Sequence, residues 1–256
     1  MKKVLFLFLV SSLTFLSCDS SDSSIEEKAI SNEKEDSKLE RRVLPTMTAG
    51  QLHNAYLDEM YVYLRERGNI NASNIHVYSR EFFSTLENSN MALENYMYTV
   101  NNPNVRYNFS NRFNSEIENL NRRLDNSNFR NLDEFKNFVS SYRPLYIRER
   151  NDLIAWGYYT DVFSHSIIYW ATNLEQWNGL INRRNTMAVL GESKCKEGGW
   201  WKRTWCNVKR YGSVDAEGSA SAAIILILSP NPVTIGGVAG AGLGASAGAV
   251  IKDLIF

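Results

Sequence analysis

The stretch that decides the fold is IGGVAGAGLGASAGAVI, residues 235–251. Glycine recurs at every fourth position of this stretch, at Gly236, Gly240, Gly244 and Gly248, and we call this pattern a glycine zipper. The six glycines of this stretch would cost an isolated helix about 5 to 6 kcal/mol relative to alanine, so the helix should not form alone in water. Small residues at this spacing let helices approach one another closely, as membrane helices do. The pattern therefore predicts a glycine-zipper helix that is stable only against other helices or in a membrane.

The residues around this stretch extend it into a hydrophobic tail, residues 213–256. No side chain is charged between residues 219 and 251. Residues 233–251 are close to the length that crosses a hydrocarbon core, whereas residues 220–228 would reach only about 14 Å as a helix. The two prolines of residues 230–232 separate the two runs, because proline cannot continue a helix. We predict a Gly/Ala-rich helical hairpin with unequal arms.

The tail resembles the glycine-zipper segments of hydrophobic bacteriocins and contact-dependent toxins. This resemblance implies insertion into a target membrane. Two other uses of the same pattern remain open, namely packing within the protein's own fold and self-association at a membrane.

The first seventeen residues have the three regions of an export signal. Two lysines precede an apolar run over residues 4–16, and the small Ser17 precedes Cys18. The sequence Phe15-Leu16-Ser17-Cys18 resembles a bacterial lipobox, and the Ser/Asp run after it resembles the export signal of Bacteroidota-type surface lipoproteins. The resemblance implies that 1–17 is a signal peptide and that Cys18 is lipidated. Acyl chains on Cys18 would hold the protein at the outer membrane or cell surface. A plain secreted protein is the alternative.

Residues 18–45 are polar and poor in aromatic side chains. Such a segment cannot bury enough apolar surface to fold, so we predict a flexible, mildly acidic tether. A chain of this length would hold the folded part about 25 to 30 Å from the bilayer.

The body of the chain, residues 46–190, has apolar residues at helical spacing. Phe109, Phe113, Ile117, Leu120 and Leu124 mark one such face. Ser110 is a candidate N-cap for this helix, and Gly68 is a candidate stop for an earlier one. Because no stretch alternates as a strand does, we predict an all-α fold, an irregular helical bundle.

Residues 191–212 differ in being basic and rich in tryptophan. Cys195 and Cys206 remain as a pair if Cys18 is lipidated, so we predict a disulfide rather than a metal site. The expected structure is a disulfide-tied loop, with membrane-interface candidates at five positions: Trp200, Trp201, Trp205, Lys202 and Arg203. The alternative is that the tryptophans pack on the helical body and the charges are solvated.

The body contains no nucleophile elbow, phosphate loop or metal-binding helix motif. Asp161 and His165, four residues apart on one helix face, are a candidate metal or catalytic pair. His53 and His76 could join them from other helices. We expect no catalytic residue, no cofactor and no nucleic-acid partner.

Three functions are consistent with these patterns. The first is a lipid-anchored surface lipoprotein with a binding or structural role, whose partners are membrane lipid through its acyl chains and, through the tail, a second copy or a membrane. The second is a contact-dependent membrane-active toxin. The third is a metal-dependent enzyme, which depends on the Asp161 and His165 pair.

Overall fold

The computed structural model describes residues 47–86, 89–102, 107–181, 195, 198–228 and 234–255. The predicted signal peptide, the lipidation site Cys18 and the predicted tether all lie outside the described residues.

Eight helices make up most of this described part. They are α1 (Ala49–Arg67), α2 (Ile75–Ser84), α3 (Ser89–Asn101), α4 (Asn111–Asp125), α5 (Leu132–Ser141), α6 (Arg150–Ile181), α7 (Trp200–Leu228) and α8 (Ile235–Ile255). No strand occurs among the described residues, so the prediction of an all-α fold is confirmed.

The helix ends follow local signals. Thr48 and Gln51 exchange hydrogen bonds in a capping box at the start of α1. That helix stops at Gly68, whose φ of +59° favours glycine. Ser110 accepts a hydrogen bond from the Phe113 N–H at 3.2 Å and so caps α4. The predicted helix stop and the predicted N-cap are both present.

Helix α6 is the longest of the described helices and packs against α1, α5 and α7. Its buried face is aromatic. Trp156 stacks on Tyr159 with ring centroids 5.0 Å apart, and Tyr159 stacks on Phe163 at 5.6 Å. Phe113 of α4 meets Trp156 edge-on at 5.5 Å. These rings form the core rather than a ligand platform, because all four are buried.

Helices α7 and α8 form an antiparallel hairpin. Near the turn, the Ser219 hydroxyl donates to the Val238 carbonyl at 3.0 Å. At the far end, Arg210 pairs with Asp253 at 2.5 Å. Helix α8 packs against α3, α7 and α1, and every residue from 236 to 251 is buried. The hairpin therefore shares one core with the helices of residues 46–190.

Within the described part, the segment Ile235–Asp253 of α8 is long and apolar enough to cross a membrane. In this fold, 89% of its apolar window is buried inside the protein. The core helix of a soluble protein has the same length and composition, so this property is weak support for a membrane span.

The prediction of a loop over residues 191–212 is wrong from Trp200 onwards, because residues 200–212 form the first turns of α7. The predicted short arm is likewise the end of a helix of 29 residues. The physical reason is the spacing of Trp201, Trp205 and Val208, which places three buried side chains on one helix face.

Candidate functional sites

The glycine stripe of α8 is the surface that brings α3 close. A Cβ atom at Gly244 would collide with the backbone carbonyl of Ala92 in α3. A Cβ atom at Gly248 would lie 2.8 Å from the Cβ of Thr99, which is about two helical turns further along α3 than Ala92. These positions have room only for glycine at the present helix separation.

The opposite side of α8 makes an equally close approach to α7. A Cβ atom at Gly242 would lie 3.0 Å from the carbonyl oxygen of Asp215. Conversely, a Cβ atom at Gly218 of α7 would lie 2.7 Å from the Cβ of Ala245. The other two glycines of the zipper are buried within the same helix: Gly236 and Gly240. In this fold the small residues of α8 thus serve packing on two sides within one chain.

A buried carboxylate lies where α1, α6, α7 and α8 meet. Asp215 of α7 accepts hydrogen bonds from the Ser166 hydroxyl and from the Trp170 indole N–H, the latter at 3.1 Å. The Nε2 atom of His53 in α1 lies 3.4 Å from the same oxygen, Oδ2. His53, Ser166, Trp170 and Asp215 have no exposed surface. Within the described residues, Oδ1 of Asp215 has no hydrogen-bond partner.

These residue types are those of acid–base chemistry, but their arrangement favours a structural role. A general base must reach the proton of a substrate, and all four side chains are closed off from solvent. The carboxylate instead holds α6 against α7 through its hydrogen bonds, and His53 of α1 packs beside it. Sequence reasoning considered His53 only as a weak partner and missed Asp215. The sequence feature that could have identified Asp215 is its spacing, which places it on one helix face with Gly212, three positions before it, and Ser219, four positions after it.

The predicted Asp161 and His165 pair exists, and its partners show what it does. Nδ1 of His165 lies 3.2 Å from Oδ1 of Asp161. The same carboxylate accepts hydrogen bonds from the Thr48 hydroxyl at 3.0 Å and from the Gly50 N–H at 2.8 Å. Asn54 donates to the His165 carbonyl at 3.0 Å. The pair therefore fastens the N-terminus of α1 to α6, and the carboxylate satisfies a helix-end N–H group.

The protonation of this pair follows from its contacts. Burial alone would raise the pKa of Asp161, but hydrogen bonds from His165, Gly50 and Thr48 outweigh it and lower that pKa. The hydrogen bond to Asp161 raises the pKa of His165, against the opposing effect of burial. The charged forms of both groups are thus favoured together.

The tryptophans proposed for a membrane interface divide into two kinds. Trp201 and Trp205 are buried and stack with centroids 5.5 Å apart. Their indole N–H groups donate to the Leu124 carbonyl at 3.2 Å and to Asp125 at 2.6 Å. Only Trp200 is exposed, at 40%. This matches the alternative prediction, in which the tryptophans pack on the helical body.

The basic side chains of the same segment also divide. Lys209 pairs with Asp125 at 2.9 Å, and Arg210 pairs with Asp253. Lys202 and Arg203 are exposed, and Arg203 donates to the Gly198 carbonyl at 2.9 Å. Of the four basic side chains that the structure describes in this segment, two therefore pair with carboxylates of the bundle.

The predicted disulfide is present. It joins Cys195 to Cys206 with Cα atoms 5.7 Å apart, and so ties the residues before α7 to the second turn of that helix. Trp201 and Trp205 lie between the two cysteines in the chain, so the disulfide restrains the segment that carries them.

Among the described residues, no group of three or more His, Cys, Asp or Glu side chains is placed to hold a metal ion. In this part of the chain, Asp161 and His165 therefore have no third such side chain placed to complete a metal site. No protein-family model, curated protein or solved structure matches the chain.

Proposed function

We propose that this protein is a lipid-anchored lipoprotein of the outer membrane or cell surface, with a binding or structural role rather than an enzymatic one. In this proposal its glycine-zipper tail is the packing core of the helical domain. The observation that carries the proposal is the burial of α8. Three of its glycines, Gly242, Gly244 and Gly248, meet α3 or α7 of the same chain at distances that exclude a Cβ atom.

The anchor is supported by the lipobox-like residues that end at Cys18. It is also supported by the Cys195–Cys206 disulfide, because disulfides persist in oxidising compartments outside the cytoplasm. Two or three acyl chains would hold the protein stably at a membrane, where one chain gives only marginal binding.

The non-enzymatic role is supported by how the polar side chains of the core are used. The Asp161 and His165 pair is engaged with the start of α1. Asp215 is engaged with Ser166 and Trp170. Both carboxylates join helices, and a structural role accounts for each of them.

Labelled palmitate and alkaline extraction test both halves of the proposal. We expect the wild-type protein to incorporate palmitate and to remain in the membrane pellet after alkaline washing. The variant Cys18→Ala should lose the label and be released by the same wash. Label retained in the variant would refute lipidation at Cys18. A variant without label that still resists the wash would show that the tail itself lies in the membrane.

A second candidate, the membrane-active toxin, is favoured by one specific observation. The turn end of the α7–α8 hairpin carries three exposed apolar side chains: Ile225, Leu228 and Ile235. Such a tip could enter a bilayer first and draw the apolar hairpin after it.

Dye release from liposomes tests this candidate. Substitutions in the zipper would not serve, because they would disturb the fold itself. The exposed tip offers a cleaner pair, Ile225→Ser and Leu228→Ser, with Val77→Ser as a control at an exposed position of α2. The toxin candidate requires dye release by the wild type and by the control, and much less by the tip variants. No release by the wild type would exclude it.

A further inference from the structure

We propose that the domain docks on anionic lipid through the residues that lead into α6, and not through its tryptophan segment. We call this surface the α6-entry patch and define it as the exposed side chains of residues 143–154. The inference rests on the proposed lipid anchor, which would keep this patch near a bilayer.

The α6-entry patch concentrates exposed apolar side chains. Leu145 is 55% exposed, Tyr146 47%, Leu153 42% and Ile154 40%. These are four of the twelve exposed large hydrophobic residues of the described part, and they fall within ten positions of one another. Scattered apolar residues need no explanation, but such a concentration marks an interaction surface.

A buried carboxylate holds the loop of the patch in place. Glu116 of α4 is fully buried and accepts hydrogen bonds from the backbone N–H groups of Leu145 at 2.6 Å and Tyr146 at 2.7 Å. Its other oxygen accepts bonds from the Tyr142 hydroxyl at 2.5 Å and from Asn119 at 3.3 Å. A buried carboxylate is tolerated only while it keeps such partners. The loop therefore cannot readily fold inwards to cover Leu145 and Tyr146.

The first turns of α6 supply the second part of the α6-entry patch. Arg150, Leu153, Ile154 and Gly157 are all exposed, and their spacing of three, four and seven places them on one face of the helix. Between Arg150 and Gly157, the exposed side chains of this face are the apolar Leu153 and Ile154.

The charges around the patch match an anionic surface. Arg143, Arg148 and Arg150 are exposed. The two carboxylates of this stretch have partners: Glu149 lies 4.0 Å from Arg112, and Asp152 accepts a hydrogen bond from Ser110 at 3.0 Å. Arginine beside Tyr, Leu and Ile is the composition that binds headgroups and the upper acyl region together.

The position of the chain's anchored end argues for lipid as the occupant. The start of α1, at Thr48 and Gly50, is fastened to Asp161. Ile154 lies seven residues before Asp161 on the same face of α6, about 10 Å along the helix axis. The described chain thus begins, near Thr48, on the face of α6 that carries Ile154. An acyl anchor attached N-terminal to Thr48 would therefore hold the domain by the side that carries the patch.

Single-cysteine probes on the acylated protein test the proposal in vesicles with and without phosphatidylglycerol. Leu145→Cys reports on the patch, Val77→Cys is a matched control of similar exposure at 53%, and Ile225→Cys reports on the hairpin tip. Each is labelled with an environment-sensitive fluorophore under non-reducing conditions, which spare the Cys195–Cys206 disulfide. We expect spin-labelled lipid to quench the probe at residue 145, more strongly with phosphatidylglycerol, and not the probe at residue 77.

Several results would overturn the proposal. Equal quenching at residues 145 and 77 would show that the patch does not face lipid. Quenching at residue 225 alone would place the hairpin tip in the membrane instead. A response at residue 145 that follows protein concentration and not lipid would make the patch an interface between two copies.

Vesicle partitioning of an unacylated chain separates this proposal from the anchor. The mature chain that begins at residue 18 with Cys18→Ala contains the whole compact unit from Val43 to Phe256. Each arginine near an anionic surface strengthens partitioning by about fivefold. The added changes Arg148→Gln and Arg150→Gln should therefore weaken partitioning by about 25-fold, and Arg80→Gln on the exposed side of α2 should leave it unchanged. Equal partitioning of both variants would refute the patch, while the mass of the natural mature protein reports acylation independently.

Discussion

The close contact between Gly244 and α3 makes the substitution Gly244→Ala a direct test of where the zipper packs. A Cβ atom at this position would collide with the carbonyl of Ala92, and a backbone carbonyl cannot rotate away as a side chain can. The two helices must therefore separate. Overpacking of this kind costs about 1 to 3 kcal/mol, and we expect the upper end here.

Alanine also favours the helical state over glycine, by about 1 kcal/mol. The net expected loss in the free energy of unfolding is therefore about 2 kcal/mol. Gly157→Ala on α6 is the matched control, because a Cβ atom there meets nothing within 4 Å and the position is helical. That variant should be more stable than the wild type, by up to about 1 kcal/mol.

Urea denaturation followed by the helical circular dichroism signal measures both variants. The two glycine-to-alanine changes should move the midpoint in opposite directions, which separates packing from helix propensity. If Gly244→Ala were as stabilising as Gly157→Ala, α8 would not pack against α3 as described. In that case the zipper would be free for another helix or for a membrane.

Three further predictions concern the polar core, the disulfide and the α1–α6 contact. Asp215→Ala should lower the free energy of unfolding by about 3 kcal/mol, because it leaves buried donors without an acceptor, and Asp215→Asn should cost less; equal losses in urea melts would contradict this reasoning. Cys195→Ser with Cys206→Ser should lower the free energy of unfolding by about 3 kcal/mol, because the unfolded chain gains conformational freedom without the disulfide. The reference is the wild type with and without reductant, and a wild type whose stability does not change with reductant would refute this prediction. The Asp161 and His165 pair should contribute most to the free energy of unfolding between about pH 4 and pH 6.5. Because the pKa of Asp161 is lowered, the stability that Asp161 contributes is lost as the pH falls through that pKa. Because the pKa of His165 is raised, the stability that His165 contributes is lost as the pH rises through that pKa. His165→Gln should therefore lose more stability at pH 5.5 than at pH 8.5 by the same assay; a pH-independent loss would contradict the ion pair.

The helical class of this protein is readable from its sequence because its causes are local. The spacing of Phe113, Ile117 and Leu120 defines an amphipathic face whatever lies opposite it. Ser110 can cap a helix, and Gly68 can end one, through atoms within a few residues. The disulfide is equally local, since its two cysteines lie eleven positions apart in the chain.

The surfaces proposed for contact could not be read in this way. Trp201 and Trp205 look like interface residues in a basic segment, and only the position of Leu124 and Asp125 on a distant helix makes them core. Leu145 is unremarkable in sequence, and it is exposed because Glu116, 29 positions earlier, holds its backbone. Such pairings depend on which faces meet, and no local pattern specifies that.

The sequence by itself determined that α8 must pack closely, since a helix so rich in glycine is unstable without neighbours and its small side chains leave room for them. Only the tertiary structure decided that those neighbours are α3 and α7 of the same chain. The physical reason is that a glycine stripe specifies how near a partner may come and carries too few atoms to specify which partner it is. That choice depends on the surfaces of the other helices, such as the backbone of α3 at Ala92 and the buried carboxylate of α7 at Asp215.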